Sequence, residues 1–324
     1  MIRTPRAHLQ IAALTHPGTS GRKNEDRFAV SSFQLSETDS TPALFAIVSD
    51  GIGGHQAGEV AAEMAVEIVS QTVAQSDGSH PLEVLDDAIQ SASQAIALRA
   101  KDDTQRLGMG TTCACAWVVG NRLFTASVGD SRIYLLRGGN IRQLTVDHTW
   151  VQEAMEKGIL KPGQARSHPN LHVIRRYLGS PRTPQADTRL RLATDESDTQ
   201  SRRNQGLSLR PEDLLLLCTD GLTDLVNDIE ILATIHKMEL AGPGLQSAAQ
   251  ALVDLAVERG APDNITVILM AVPAGRAPKK KTNFWPWILL GLLGLCLLAV
   301  VILAVALLVL RVSLPFLSTP TPLP

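Results

Sequence analysis

The chain has 324 residues, with 30 Lys and Arg against 32 Asp and Glu, 44% apolar residues and 4% aromatic ones. That apolar share is ample for a buried core and excludes a disordered polypeptide, while the near-neutral charge and scarce aromatics argue against a nucleic-acid-binding protein. The four cysteines, Cys113, Cys115, Cys218 and Cys296, show no C-x-x-C pairs and no histidines at zinc spacing, so they read as buried thiols of a reducing compartment.

In chain order, residues 9–14 and 28–33 read as short strands around a polar loop, 15–27, and a third strand, 44–48, runs into the loop "SDGIGGHQAGE". Helices are expected over 57–73, where Val60, Met64, Val66, Ile68 and Val69 recur at a roughly helical period, and over 81–100, on Leu82, Leu85, Ile89 and Ile96. Residues 111–145 give apolar strands broken by Gly120 and Asn121, by Gly129 and Asp130, and by Gly138 to Asn140, the pattern of an antiparallel meander. A polar stretch ending near Leu178 carries a short helix at 150–158 and reads as a mobile surface subdomain.

Residues 194–206 are polar enough for a loop, after which "DLLLLCTDGLTDLV" is a buried strand ending in an acid-glycine turn. An amphipathic helix at 247–259, capped by Gly260, and a last strand in "DNITVILMAV" complete an α+β domain in which sheets pack on sheets with helices outside.

From Ile288 to Leu310 the sequence is apolar apart from Gly291, Gly294 and Cys296, about 23 residues, long enough for a transmembrane helix. Trp285 and Trp287 would form an interfacial belt, and Arg276, Lys279, Lys280 and Lys281 precede the span where only Arg311 follows it, which places residues 1–275 in the cytoplasm. The expected organisation is a globular domain at 1–272, a basic juxtamembrane linker at 273–287, the span at 288–310 and a Pro-rich tail at 311–324. Such a chain is a single-pass protein of the plasma membrane.

The chemistry lies in where the acids fall. Glu25 and Asp26 lie between the first two strands, Asp50 follows the third, Asp130 joins two meander strands, Asp220 follows "LLLLC" and Asp263 opens the last strand. Any one Asp-Gly pair is an ordinary turn. Together, these acids end strongly apolar strands, and strand ends can gather on one rim. Several carboxylates at one place cannot all ionise without a cation, and an all-oxygen set selects Mg²⁺ or Mn²⁺. Gly51 beside Asp50 would let a backbone carbonyl approach the ion.

Taken in order, "GRKNEDRF" (21–28), "VSDGIGGHQAGEVAA" (48–62), "GTTCACAWV" (110–118), "VGDSRIYLLR" (128–137), "DHTWV" (147–151), "CTDGLTD" (218–224) and "DNITVI" (263–268) resemble the metal-dependent serine/threonine protein phosphatases of type 2C. The resemblance covers residues 9–272 and, with the apolar segment, suggests a bacterial, membrane-anchored member. It implies two antiparallel sheets packed as a sandwich and flanked by helices, with a two-metal site in a cleft at one end.

Carried over by position, Asp50 would bridge two Mn²⁺ or Mg²⁺ ions and Gly51 would offer its carbonyl. Asp220 and Asp263 would complete the first ion's shell, Glu25 and Asp26 would hold the second through its waters, and Asp130 would contribute to a third. The insertion at 147–178 corresponds to the flap that shapes substrate access.

The implied activity is hydrolysis of phosphoserine and phosphothreonine by a bridging hydroxide, with Asp50 and His55 as catalytic residues and His55 a candidate proton donor. The implied partners are phosphorylated proteins and a cognate Ser/Thr protein kinase. The family's phosphate-binding arginine position is Gly21 here, and Arg22 could substitute from a loop kinked at that glycine. The alternatives are a noncatalytic, membrane-tethered phosphoprotein-binding protein of the same fold and a small-molecule phosphatase.

Overall fold

The computed structural model describes residues 1–52, 57–165, 168–238, 244–274 and 285–313, and the chain separates into two units, Met1–Gly275 and Arg276–Pro324. In the first unit, strands β1 (Ile2–Arg3), β2 (Gln10–His16), β3 (Arg27–Gln34), β4 (Pro42–Ser49) and β5 (Gly51–Ile52) precede helices α1 (Gly58–Gln75) and α2 (Pro81–Lys101). Strands β6 (Gly110–Thr111), β7 (Cys113–Val119), β8 (Arg122–Val128), β9 (Arg132–Arg137) and β10 (Asn140–Gln143) follow. Short helices α3 (Trp150–Glu156), α4 (Pro162–Ala165) and α5 (Asp198–Arg203) lead to β11 (Leu207–Ser208) and β12 (Leu214–Cys218). The unit closes with helices α6 (Asp220–Thr223), α7 (Asp228–His236) and α8 (Gly244–Glu258) and strand β13 (Ile265–Ala271).

Two antiparallel sheets, ordered β1-β3-β4-β7-β8-β11 and β10-β9-β12-β13-β2, pack face to face. Antiparallel strands usually alternate apolar and polar residues, yet β4 and β13 are apolar almost throughout, because both faces of each are covered. Along β4, Phe45 and Ile47 lie under α1 and α2, while Leu44, Ala46 and Val48 meet Leu215, Leu217 and Ile268 of the other sheet. Along β13, Ile265, Val267 and Leu269 lie under α8, against Leu245, Leu252 and Ala256. The sandwich flanked by helices is the α+β architecture expected from the sequence. Trp117 of β7 is fully buried and meets Phe45 edge-on, with ring centroids 6.5 Å apart.

Two local readings change. The stretch 111–145 is not one meander, because β7 and β8 belong to one sheet and β9 and β10 to the other. The chain crosses between sheets at Gly129–Ser131, where Gly129 adopts φ +103°, a conformation that disfavours a side chain. The loop expected at 194–206 contains α5, started by a capping box in which Ser197 accepts from the Gln200 amide and the Gln200 side chain returns the bond. Helix α7 begins with the same device, on Asn227 and Glu230.

The second unit contains helix α9 (Trp285–Ser313). The transmembrane helix expected over 288–310 is corrected: among the described residues no helix is long and apolar enough to cross a membrane. The membrane partner, the single-pass plasma-membrane localisation and the cytoplasmic orientation were inferred from that span and are withdrawn with it.

Candidate metal centre

Asp50 leaves the end of β4 at the rim of the sandwich and is fixed through its backbone. Its N–H donates to Thr112 Oγ1 (2.9 Å), and its carbonyl accepts from the Thr112 N–H (2.9 Å) and Thr111 Oγ1 (2.7 Å). Thr112 Oγ1 also bonds Ser131 Oγ at 2.7 Å, which ties Asp50 to the crossing that carries Asp130. Gly51 is required by packing: a Cβ there would fall inside 3.0 Å of the Gly58 carbonyl and 2.8 Å from the Glu25 carbonyl oxygen. What approaches the backbone at this glycine is the start of α1 and the Glu25 loop.

Asp26 is 2% exposed; its Oδ2 accepts from Thr219 Oγ1 (2.9 Å) and Thr266 Oγ1 (2.7 Å), while its Oδ1 has no partner. Burial, with the charges of Asp220 and Asp263, raises this carboxyl to about 7 against the two hydroxyls that lower it. Asp50 is raised well above the usual carboxylate range by burial and by Asp220, Asp26 and Asp130. Burial, with Asp224, raises Asp220 to about 6. Asp130 is raised by burial and by Asp220 and Asp147, and lowered by Arg132, whose guanidinium makes a forked pair with Asp147 (2.7–3.1 Å).

Glu25 is raised by burial and by Asp263 and Glu59, and its backbone N–H donates to Asn264 Oδ1 at 2.8 Å. Asp263 is exposed, and its charge is felt at Glu25, Asp26 and Asp220. Six of the expected acids, Glu25, Asp26, Asp50, Asp130, Asp220 and Asp263, therefore share one electrostatic neighbourhood. Arg22 is exposed and makes no ion pair among the described residues, whereas Lys23 and Arg27 are both engaged by Glu59. His55 lies outside the described residues.

Several participants were missed by the sequence reading. His172 Nδ1 pairs with Asp224 Oδ2 at 3.0 Å, and His172, Asp220 and Asp224 offer ligand atoms all within 4.8 Å of one another. The Asp26 clamp had a signal, since Thr266 is the one polar residue of an otherwise apolar, wholly buried strand. Behind the rim, His148 Nδ1 accepts from the Gly129 N–H (3.0 Å) and its Nε2 bonds Asp187 (3.0 Å). Asp187 is held in turn by Arg189, so the crossing at Asp130 is braced from the flap side.

The donor set fits divalent ions. Asp26, Asp130 and Asp220 each bury one carboxylate oxygen, Oδ1, without a hydrogen-bond partner, an arrangement that is costly unless a cation supplies the missing contact. Acids, threonine hydroxyls and backbone carbonyls are hard oxygen donors, suited to Mg²⁺ or Mn²⁺. A cavity of about 450 Å³ opens over the centre, bordered by Asp130, Asp220 and Asp224 on one side and by Thr149, Leu171 and His172 of the flap on the other.

A helix-flanked β-sandwich with a carboxylate metal centre on its rim defines a metal-dependent hydrolase domain, and comparison with known proteins agrees. The protein phosphatase 2C family matches residues 18–156 and 201–265. The serine/threonine protein phosphatase PstP of Mycobacterium tuberculosis is 35% identical over 225 residues, 69% of this chain but 40% of that protein, so the chain spans less than half the length of that relative. The serine/threonine phosphatase stp of Listeria innocua is 33% identical over 260 residues, covering 79% of this chain and 93% of the relative. A crystal structure of the PstP catalytic domain with two manganese ions superposes with a TM-score of 0.64 at 30% identity, over 81% of this chain and 97% of that one. The chain belongs to the protein phosphatase 2C family and carries a metal-dependent serine/threonine phosphatase catalytic domain homologous to the bacterial PstP-like enzymes.

Proposed function

We propose that this chain hydrolyses phosphoserine and phosphothreonine in protein substrates at the acid cluster on the sandwich rim. The observation that carries the reading is the convergence of three buried, unpartnered carboxylate oxygens, on Asp26, Asp130 and Asp220, each raised in pKa by burial and by neighbouring acids. Asp50, Gly51, Asp220 and Asp263 would hold one divalent ion, Glu25, Asp26 and Asp50 a second, and Asp130 a third, with Mn²⁺ favoured by the manganese in the PstP domain structure. When bound, such ions supply the positive charge that receives a phosphate dianion and the acidification that makes water a nucleophile near neutral pH.

The chain's own residues do the rest. The Thr219 and Thr266 hydroxyls fix one oxygen of Asp26 and leave the other free for a ligand. Thr111, Thr112 and Ser131 hold Asp50 in register with Asp130. Arg22, beyond a Gly21 at φ +73° that leaves the loop kinked, has no ion partner among the described residues and is the cation offered to the ester oxygens. His55 would return a proton to the leaving serine or threonine oxygen. The test is hydrolysis of an aryl phosphate and of phosphoserine peptides by the full chain with Mn²⁺ and with chelator. Asp50→Asn and Asp263→Asn are expected to lower kcat at least about a hundredfold, the scale lost with a transition-state charge contact. Turnover that survives both chelation and Asp50→Asn would overturn the assignment.

A further inference from the structure

From Lys157 to Ala186 the chain contains no Asp or Glu, although Lys157, Lys161, Arg166, Arg175, Arg176 and Arg182 all fall there; every one of its 32 acids lies elsewhere. Lys157, Lys161, Arg175, Arg176 and Arg182 are exposed. Among the described residues only Arg175 has an ion partner, Glu153 at 3.6 Å. Exposed cations in globular domains normally intersperse with acids, and an unbalanced run of this length is a surface suited to an external anion.

Backbone pairing ties this basic run to the metal rim. The Leu178 N–H donates to the Thr111 carbonyl (2.9 Å) and the Thr111 N–H returns the bond to the Leu178 carbonyl (3.1 Å), while Thr111 pairs with Gly51 across β5 and β6. Three chain segments at a spacing of about 4.8 Å put Leu178 roughly 10 Å from Gly51. An extended peptide advances about 3.3 Å per residue, so a side chain about three positions from a phosphoresidue at the centre comes alongside this run. Arg176 and Arg182 stand on either side of Leu178 in sequence, both exposed and both without an ion partner among the described residues.

We propose that Arg176 and Arg182 form a second anion-recognition surface, which selects substrates carrying a further negative group, a carboxylate or a second phosphate, about three residues from the phosphoresidue being hydrolysed. The inference rests on the phosphatase reading and adds the substrate class to it. Guanidinium groups suit both sources, since they pair with carboxylate and phosphate oxygens in the same forked geometry.

The test compares kcat/KM of the full chain with Mn²⁺ on phosphoserine peptides that differ only three residues from the target, on either side, where they carry Ala, Glu, phosphoserine or Lys. The expected result is a fivefold to tenfold advantage of Glu or phosphoserine over Ala on at least one side, a disadvantage of Lys, and weakening of both by salt. In Arg176→Gln/Arg182→Gln, checked for folding by circular dichroism, the ratio of acidic to neutral peptide should fall close to one. An advantage shared by Glu identifies general negative charge, and one confined to phosphoserine identifies a second phosphate; both support the proposal. A ratio near one in the wild type, or one unchanged in the double variant, overturns it.

A parallel fluorescence-anisotropy titration uses unphosphorylated Glu and Ala peptides and phosphatidylserine vesicles. Vesicle binding that disappears in the double variant, with no discrimination between the peptides, overturns the proposal in favour of an anionic membrane surface. If neither the aryl phosphate nor any peptide is hydrolysed, the phosphatase reading fails, and the anisotropy arm still decides whether the basic surface selects acidic peptide.

Discussion

Replacing Asp26 by Asn tests whether the acid cluster is held together against its own charge. Asp26 is raised from 3.8 to about 7, first by burial and then by Asp220 and Asp263. A carboxyl raised in the folded state holds its proton more tightly there than in the unfolded chain, so ionising it favours unfolding. Its contribution to stability is intact below 3.8, declines as pH rises and is exhausted above about 7, where the penalty reaches about 4 kcal/mol. Asn retains an oxygen to accept from Thr219 and Thr266 and carries no charge. Because Asp26, Asp50 and Asp220 relax together when one is neutralised, about half of that penalty, roughly 2 kcal/mol, should be recovered. For a domain of this size that is a rise in Tm of about 4–8 °C. Scanning calorimetry in chelator should show this gain at pH 8 and a clearly smaller one at pH 5, where less than half of the penalty has developed. Added Mn²⁺ should reverse the order, stabilising the wild type and helping the variant far less. An Asp26→Asn protein that is less stable than wild type at pH 8 in chelator, or an offset that does not grow from pH 5 to pH 8, would refute the reasoning.

Two further substitutions probe the framework around the centre. Gly51→Ala pushes a methyl into the Gly58 and Glu25 backbones, and should cost about 1–3 kcal/mol by overpacking and weaken Mn²⁺ uptake, read by thermal denaturation and titration calorimetry; an unchanged Tm together with unchanged uptake would show that the close approach is not a constraint. His148→Ala leaves the Gly129 N–H without its acceptor and takes one partner from Asp187, and should cost about 2–3 kcal/mol in urea unfolding, whereas a loss below half a kcal/mol would show that water replaces the ring without penalty.

How much of this was legible in the sequence depends on the range of the interaction that decides each feature. Helices α1 and α2 and strands β3 and β4 follow from local apolar patterning, and the sequence reading placed them within a few residues. The capping box of α5 was also local, but "TDESDTQSRR" is so polar that composition hid the Ser197 and Gln200 signal. The assignment of β9 to the second sheet was not local at all. Gly129 looks like a hairpin glycine, and only the packing of Ile133 and Leu135 against the first sheet shows that the chain has changed layers there. His172 was illegible for a similar reason, since its pairing with Asp224 depends on where the flap docks.

The convergence of the acids has a cause that antiparallel topology makes explicit. When two antiparallel strands pair, the end of one abuts the start of the other. In the first sheet Arg27 opposes Ser49, so Asp26, just before β3, and Asp50, just after β4, are set side by side. In the second sheet Cys218 opposes Val267, so the residues after β12 and before β13, Asp220 and Asp263, meet at the same kind of edge. Each sheet thus gathers two carboxylates by strand pairing alone. Bringing the two pairs together requires the sheets to stack with these edges on a common rim. Asp130 lies on a connection that runs directly from β8 in the first sheet to β9 in the second, with Cys113 opposing Val128 on one side and Arg132 opposing Cys218 on the other. Three residues of crossing leave the two edges no freedom to face apart. That short connection, together with the one from β2 to β3 that carries Asp26 across the same rim, obliges the five aspartates to share one site.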